Sequence, residues 1–206
     1  MTDANTTNDL FTALETCRAI RRLKETPVPR DVLEQLVFYA TRASNPGNSQ
    51  LWSFVVLTDP EKKRRIAQAV RAVMGPAFAG RTPEPGSATT RRMLDGARHL
   101  VANLERVPAL IFVCAKDGYP PANPQRAFVW SAIYPASQNL IVAARGLGLG
   151  TVFTTFQMVA EKVVRETLAI PDEILIGTTI CVGYPDRPFG PVTRKPVAEV
   201  VHWERW

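Results

Sequence analysis

The sequence predicts a single α+β domain, residues 1–206, in which helices surround one sheet. Apolar residues recur at helical spacing over most of the chain, whereas roughly four or five segments have the apolar, β-branched character of strands. Helices and strands do not alternate regularly, so a repeated βαβ architecture is not expected. A hydrophobic content of 46% with 21% charged residues is ordinary for a globular protein.

The first predicted elements are two helices and a strand. Apolar spacing predicts one helix over 10–20 and a second from Pro29 to about residue 43. The Asn-Pro-Gly-Asn sequence at 45–48 has the chemistry of a turn, and 53–58 is typical of a buried strand. Two predicted helices therefore lead, through a polar turn, into the first strand.

A third helix is predicted to begin at Asp59-Pro60, because aspartate caps helix N-termini and proline is tolerated at the first helical position. It is expected to end near Met74. Prolines and glycines over 75–87 then predict a long loop, and such loops often form lids. A second mobile loop is expected over 119–125, and the polar residues 1–9 are expected to be flexible.

The second half is predicted to contain two further helices and four strands. In order, these are a helix over 89–105, a strand over 109–115, a long helix over 128–145 that is kinked at Pro135, and strands over 151–153, 174–183 and 199–203.

A glycine run at 146, 148 and 150 invites comparison with the dinucleotide-binding fingerprint. That fingerprint follows a strand, opens a helix and has G-x-G-x-x-G spacing. Here the glycines follow a predicted helix, and Thr151 occupies the next position. The run therefore predicts a helix C-cap and a tight turn into a strand.

Composition excludes several classes of site. The three cysteines are far apart and only two histidines occur, so neither a disulfide framework nor a metal site is expected. The net charge of +6 is spread over scattered arginines without interleaved aromatics, which argues against nucleic-acid binding. No apolar run approaches the ~20 residues of a membrane helix, and no signal peptide is recognisable. A cytoplasmic setting without membrane attachment is expected.

Two guanidinium clusters and an amide-rich turn are the candidate binding elements. Arg18 and Arg21 lie near one end of the chain, and Arg194 with Lys195 near the other. Guanidinium makes bidentate contacts to phosphate, while the amides and hydroxyl of 45–50 suit the polar edge of a heteroaromatic ring. Taken alone, Arg18 and Arg21 fit solvated charges at a helix end better than a binding site.

In this order, the motifs resemble the FMN-dependent nitroreductase family, over about residue 10 to the C-terminus. Residues 18–21, Arg-Ala-Ile-Arg, correspond to its R-S-x-R pattern, and 45–52 to its P-S-x-x-N-S-Q-P-W turn. Residues 130–150 resemble its long central helix, and 202–206 the ending of some actinobacterial-type members. Ala19 and Leu51 depart from the pattern, the first removing one possible hydrogen bond to phosphate.

The resemblance implies a mostly antiparallel sheet wrapped by helices and an intertwined homodimer with FMN at the interface. Arg18 and Arg194 would bind the phosphate and Arg21 the pyrimidine side of the flavin. The implied cofactor-binding residues are Arg18, Ala19, Arg21, Asn45, Pro46, Asn48, Gln50, Phe153, Thr154, Thr155, Arg194 and Lys195.

The implied activity is hydride transfer from NADH or NADPH to the flavin and then to an acceptor such as a nitroaromatic or quinone. The chemistry centres on the flavin, so no catalytic side chain is expected. Ene reduction, dehalogenation or dehydrogenation of one metabolite remains open within the superfamily. A non-catalytic module that binds an acidic partner is the alternative from another class.

Overall fold

The computed structural model describes residues 6–7, 9–82 and 88–206. The helices of this part are α1 Leu10–Thr16, α2 Arg30–Ala40, α3 Pro60–Ala79, α4 Ala88–Ala102, α5 Arg126–Gly146, α6 Phe156–Val159 and α7 Glu161–Leu168. Its strands are β1 Trp52–Leu57, β2 Ala109–Lys116, β3 Gly150–Thr154 and β4 Ile174–Gly183. Short 3-10 turns lie at Pro46–Asn48, Leu104–Arg106 and Val197–Glu199. Of the predicted flexible segment 1–9, residues 1–5 and 8 lie outside the described part.

The four strands form one sheet in the order β1-β2-β4-β3, and every neighbouring pair is antiparallel. β2 and β4 occupy the centre and are buried over nearly their whole length. β1 and β3 are the two edges. The predicted α+β class with a mostly antiparallel sheet is confirmed.

Helices cover both faces of the sheet and create two apolar layers. On one face, α2 and α5 contribute Leu36, Ile133 and Leu140. On the other, α3 and α7 contribute Ile66 and Val164. Successive side chains of a strand point to opposite faces, so a central strand between two helical layers is apolar throughout rather than alternating.

The first helix ends at Thr16, so the prediction that it continues to residue 20 is wrong. Beyond it the backbone is extended and hydrogen-bonds to the sheet. Ile20 N donates to Thr151 O over 2.9 Å, and Lys24 N donates to Tyr184 O over 2.8 Å. These tertiary hydrogen bonds replace the helical ones that local spacing predicted.

The third helix continues to Ala79, so the predicted loop does not begin at Gly75. Pro76 lies inside the helix. Proline removes one helical hydrogen bond, which costs least on an exposed face where water reaches the freed carbonyl; both Pro76 and Ala72 are exposed. The remainder of the predicted lid falls largely on residues 83–87, outside the described part.

The glycine run ends a helix, as predicted. Leu147 caps α5, Gly148 adopts φ +77°, and β3 starts at Gly150. Asp59 is also confirmed as an N-cap, because its carboxylate accepts from Lys62 N over 2.9 Å.

The predicted last strand over 199–203 is wrong. A 3-10 turn occupies Val197–Glu199, and every residue from 193 to 206 is exposed, with Trp203 83% and Trp206 100% accessible. A strand requires a neighbouring strand, and among the described residues none pairs with the tail. Among the described helices, none has the length and apolarity needed to cross a membrane.

Candidate functional site

The candidate site lies along the free edge of β3. The extended segment after α1 runs beside that edge, with Ala19 forming a parallel bridge to Thr151. Arg18 and Ala19 are exposed, whereas Arg21 is half-buried. The backbone pairing thus fixes the segment that carries both predicted arginines.

The C-terminal segment returns to the same place. Val192 N donates to Glu15 O over 3.0 Å. A Cβ at Gly190 would lie 3.8 Å from Nη1 of Arg18, so the two segments are in direct contact. Arg194 follows on this segment, close enough for its charge to act on Cys17. Arg18 and Arg194, from opposite ends of the sequence, therefore belong to one cluster, and Lys195 is exposed beside it.

This cluster, Arg18 with Arg194, is an uncompensated concentration of positive charge. In the part of the chain that the structure describes, neither guanidinium forms an ion pair with a carboxylate. The Nη1 of Arg194 donates only to the carbonyl of Thr193, over 2.9 Å. Exposed arginines without carboxylate partners are suited to binding an anion.

Cys17 lies next to this arginine pair. Burial raises the pKa of its thiol, and the charges of Arg145 and Arg194 oppose that rise without overcoming it. The group is therefore a neutral thiol near pH 7 rather than a reactive thiolate.

Arg145 was missed by the sequence analysis. It lies in the last turn of α5 and is buried. Its Nε donates to Thr16 Oγ1 over 2.7 Å, and its guanidinium carbon lies 4.0 Å from the ring centroid of Phe189. Burial lowers its pKa, with the nearby Cys17 acting in the opposite direction. The sequence feature that could have identified Arg145 is a lone arginine at the end of a long apolar helix.

The Arg21 side chain packs on α4, where a Cβ at Gly96 would lie 3.1 Å from its Cδ. Burial, and secondarily the charge of Arg18, lowers its pKa. It lines a polar cavity of about 210 Å³ together with His99. There Arg22 Nη1 lies 3.1 Å from His99 Nδ1, and burial followed by the Arg22 charge lowers the histidine pKa.

The segment Phe153–Thr155 continues β3 past the arginine pair. Phe153 is 42% exposed and Thr155 is exposed, whereas Thr154 is buried and donates to Thr179 O over 2.7 Å. Thr179 Oγ1 in turn donates to Gln157 Oε1 over 2.9 Å, and Gln157 Nε2 donates to Gly177 O over 2.6 Å. This fully buried network holds the exposed segment rigidly.

Two aromatic rings of α5 extend the surface at Phe153. Tyr134 lies 6.1 Å from Phe153, centroid to centroid, and stacks on Trp130 at 5.7 Å with 19° between the ring planes. Tyr134 is nearly half exposed. An apolar aromatic surface therefore borders the exposed edge of β3.

The amide-rich turn over 45–50 is closed by the side chain of Asn45. Gln50 N donates to Asn45 Oδ1 over 2.9 Å, which closes the turn around Pro46. Positive φ angles at Gly47, Asn48 and Gln50, between 47° and 58°, direct the Asn48 and Gln50 side chains to solvent. The ring of Tyr119 occupies the space beside Gly47, where any Cβ would overlap it.

The turn and the arginine pair do not meet within one chain. The turn precedes β1 at the Trp52 end, which aligns through Ala115 with Leu175 on β4. The arginine pair adjoins Thr151, which aligns with Val182 near the other end of β4. They lie at diagonally opposite corners of the sheet, with the strand spacings alone separating them by about 14 Å.

A helix-covered antiparallel sheet with an uncompensated arginine pair at one edge defines an α+β domain equipped to hold an anionic ligand. Residues 14–184 match the model of the Nitroreductase family, and the chain belongs to that family.

Relatives and solved structures agree with this assignment. The chain is 26% identical over 196 residues to an NADH dehydrogenase/NAD(P)H nitroreductase of Archaeoglobus fulgidus, covering 93% of this chain and 95% of the relative. It is 26% identical to the iodotyrosine deiodinase of Nematostella vectensis, covering 94% and 74%. The fold matches that of an oxidised iodotyrosine deiodinase bound to FMN and 3-iodo-L-tyrosine, with a TM-score of 0.76, 21% identity and coverage of 96% and 100%.

Proposed function

We propose that the protein is an FMN-dependent oxidoreductase that accepts hydride from NADH or NADPH and delivers it to an oxidised acceptor such as a nitroaromatic or quinone. One observation carries the proposal. Arg18 and Arg194 lie at the edge of β3 near Thr151, and the same strand continues past them to the exposed residues Phe153 and Thr155. Family membership and the FMN bound by the deiodinase structure support it.

The arginine pair fits the phosphate of FMN. A phosphate monoester is mostly dianionic at pH 7, and two guanidinium groups without carboxylate partners would neutralise it. Lys195 adds a third cation at the same surface. Ala19 offers no hydroxyl, so its contribution is limited to backbone, which the bridge to Thr151 holds in place.

When bound, FMN would supply hydride transfer at its isoalloxazine ring. The chain's part is to bind and orient that ring. The rigid backbone of 153–155 would line it, and Phe153 with Tyr134 would exclude water from its edge. Arg21 would place a positive charge near the pyrimidine side, where reduction adds negative charge.

We propose that the complete site requires a second chain. The Asn45–Gln50 turn and the arginine pair lie at opposite corners of one sheet. In a homodimer, the turn of one protomer would lie over the arginine pair of its partner. The exposed Asn48 and Gln50 would then meet the polar edge of the ring.

The C-terminal tail supports the same assembly. A groove of about 980 Å³ runs between α2 and β1, lined by Val28, Phe54, Val56 and others. In the described part of the chain no strand pairs with the outer edge of β1, and Val56 is 39% exposed. The tail carries Val197, Val200 and Trp203, whose apolar side chains are largely exposed. We propose that the partner's tail fills this groove.

The test begins with the purified protein, which should be yellow and release FMN on denaturation. Anaerobic addition of NADH or NADPH should bleach the flavin absorbance, and a panel of acceptors should restore it. Initial rates should give parallel double-reciprocal lines, because donor and acceptor would use one face of the flavin. Colourless protein that binds nucleic acid in a salt-dependent way would instead support the non-catalytic binding module.

The acceptor panel should include a halogenated aromatic compound. Two of the similar proteins are iodotyrosine deiodinases, so dehalogenation is the favoured alternative within the family. Halide release in step with flavin reoxidation would identify it. Nitroaromatic or quinone reduction without halide release would support the leading proposal. Reduction of an activated alkene would point to ene reduction. If a metabolite reduces the flavin in the absence of NADH and NADPH, the activity is dehydrogenation of that metabolite.

A further inference from the structure

Arg145 links the two arms of the arginine pair to the core. One arm is the N-terminal segment that begins at Thr16 and carries Arg18. The other is the C-terminal segment that includes Phe189 and carries Arg194. Arg145 contacts both, through the 2.7 Å hydrogen bond to Thr16 Oγ1 and the 4.0 Å stacking on Phe189.

Apart from Thr16, which is the last residue of α1, neither arm has regular secondary structure of its own. The N-terminal arm is held by its bridge to β3, and the C-terminal arm by the hydrogen bond from Val192 N to Glu15 O. Arg145 is the side chain that touches both arms from the rigid helix α5. The Thr16 hydroxyl is itself oriented, since it donates to Thr12 O over 2.5 Å.

The guanidinium group is suited to this position. Its planar face stacks on an aromatic ring while its N–H groups donate in the plane, and an ammonium group does not combine these contacts. Arg145 is buried, so its geometry is defined by packing rather than by solvent.

We infer that Arg145 is a positioning residue that fixes the spacing of Arg18 and Arg194 and thereby gives the site its preference for FMN over riboflavin. The inference rests on the proposed function. Riboflavin has the same ring and ribityl chain without the phosphate. Replacing a residue that acts only by positioning the phosphate-binding arginine pair should change the affinity for FMN and leave the affinity for riboflavin unchanged.

The experiment measures the dissociation constants of FMN and riboflavin for apo-protein by flavin fluorescence quenching. Arg145→Met should reduce the preference for FMN by about tenfold, comparable to the loss of other residues that orient a ligand-binding group. Arg145→Lys keeps the positive charge but lacks the planar guanidinium that stacks on Phe189 and donates to Thr16. It should restore less than half of the FMN preference that Arg145→Met loses.

Arg165→Met is the matched control. Arg165 is another largely buried arginine that donates to backbone carbonyls, those of Pro171 and Ile174, but it lies on α7 on the other face of the sheet. It should leave the FMN preference unchanged. If Arg145→Met does not fold, Thr16→Val and Phe189→Leu replace it as the test. Each removes one contact of Arg145 while keeping the residue itself, and each should lose part of the FMN preference.

A double-mutant comparison separates the possible outcomes. In an Arg18→Ala/Arg194→Ala background, Arg145→Met should cause no further loss of preference, because the groups it positions are gone. An unchanged preference in Arg145→Met, or full recovery by lysine, would overturn the inference. If Arg18→Ala and Arg194→Ala themselves leave the preference intact, the proposed phosphate site is wrong, and the inference falls with it.

Discussion

The two edge strands of the sheet, β3 and β1, differ in whether other segments of the chain cover them. At the β3 edge the chain returns twice, once through the bridge of Ala19 to Thr151 and once through the segment that packs at Arg18. At the β1 edge no described segment pairs with the outer side of the strand, and Phe54 and Val56 face an open groove. The β3 edge therefore carries the arginine pair, whereas the outer edge of β1 is unpaired in the described part of the chain.

This difference assigns separate tasks to the two edges. An open edge strand with apolar side chains invites pairing with another chain unless something covers it. The β3 edge, by contrast, is partly covered by the extended segment at Ala19 and displays the charges of the arginine pair. Ligand binding is therefore expected to depend on the β3 edge directly, and on the β1 edge only through assembly.

The largest effect is expected from Arg18→Ala/Arg194→Ala. Each charge-assisted hydrogen bond contributes ~1.5–3 kcal/mol, so the double variant should lose roughly a hundredfold or more in FMN affinity. Flavin content after dialysis and the Tm of the apo forms are the measurements. Arg64→Ala, an exposed arginine paired with Glu61 on α3, is the control and should retain FMN. Full flavin content in the double variant would contradict the phosphate assignment.

Changes at the β1 edge should weaken the proposed dimer. Removal of residues 197–206 leaves Arg194 and Lys195 in place but deletes the exposed apolar tail. Dimer dissociation should become at least about tenfold easier, since buried apolar area drives association. Sedimentation at several concentrations measures this. A Val56→Asp change in the groove should have a similar effect, whereas an unchanged dimer in both would exclude the tail-in-groove arrangement.

The rigidity of the β3 edge is tested by Gln157→Met. The change leaves the carbonyl of Gly177 and the hydroxyl of Thr179 without their partner in the buried network. Leaving buried polar groups unpaired costs about 1–3 kcal/mol, which urea unfolding will measure. Val56→Thr at the open edge should cost far less in the isolated protomer. Equal costs at both edges would show that the network adds no rigidity.

Thiol chemistry offers a smaller, local readout of the β3 edge. Burial raises the pKa of both Cys114 and Cys181 to about 12, so a maleimide should reach them only on unfolding. Cys17 is half-buried and should react first. Bound FMN should slow that reaction several-fold by covering the arginine pair, which mass spectrometry can follow. Equal rates with and without FMN would place the ligand elsewhere.

The smallest effect concerns His99, beside Arg21 at the same edge. Because its folded pKa lies below the ordinary value of 6.5, the unfolded chain binds more protons between the two values. Stability should therefore rise with pH through that window and be lost as pH falls through it. The control His99→Gln should flatten this part of the stability curve. A slope unchanged by the substitution would assign it to other groups.

Elements defined by local pattern were predictable. The bounds 174–183 match β4, and Asp59 caps α3 as its sequence indicated. The errors occur where tertiary contacts decide the conformation. Residues 17–20 leave the helix because the β3 edge offers hydrogen bonds. Residues 199–203 form no strand because no described segment pairs with them.

The candidate site was predictable as a set of residue types but not as an arrangement. Arg18 and Arg194 are recognisable from their chemistry, yet their proximity depends on the return of the C-terminal segment to α1, where Val192 N donates to Glu15 O. Arg145 carries no sequence motif, since its role arises only when Thr16 and Phe189 meet at the end of α5.

The wide separation of Arg18 and Arg194 along the sequence has a consequence for biosynthesis. A nascent chain that already carries Arg18 does not yet carry Arg194. If the two arginines bind the phosphate as proposed, cofactor capture is expected only after the segment that carries Arg194 has left the ribosomal exit tunnel. A product that terminates before that segment should fold its sheet yet remain colourless.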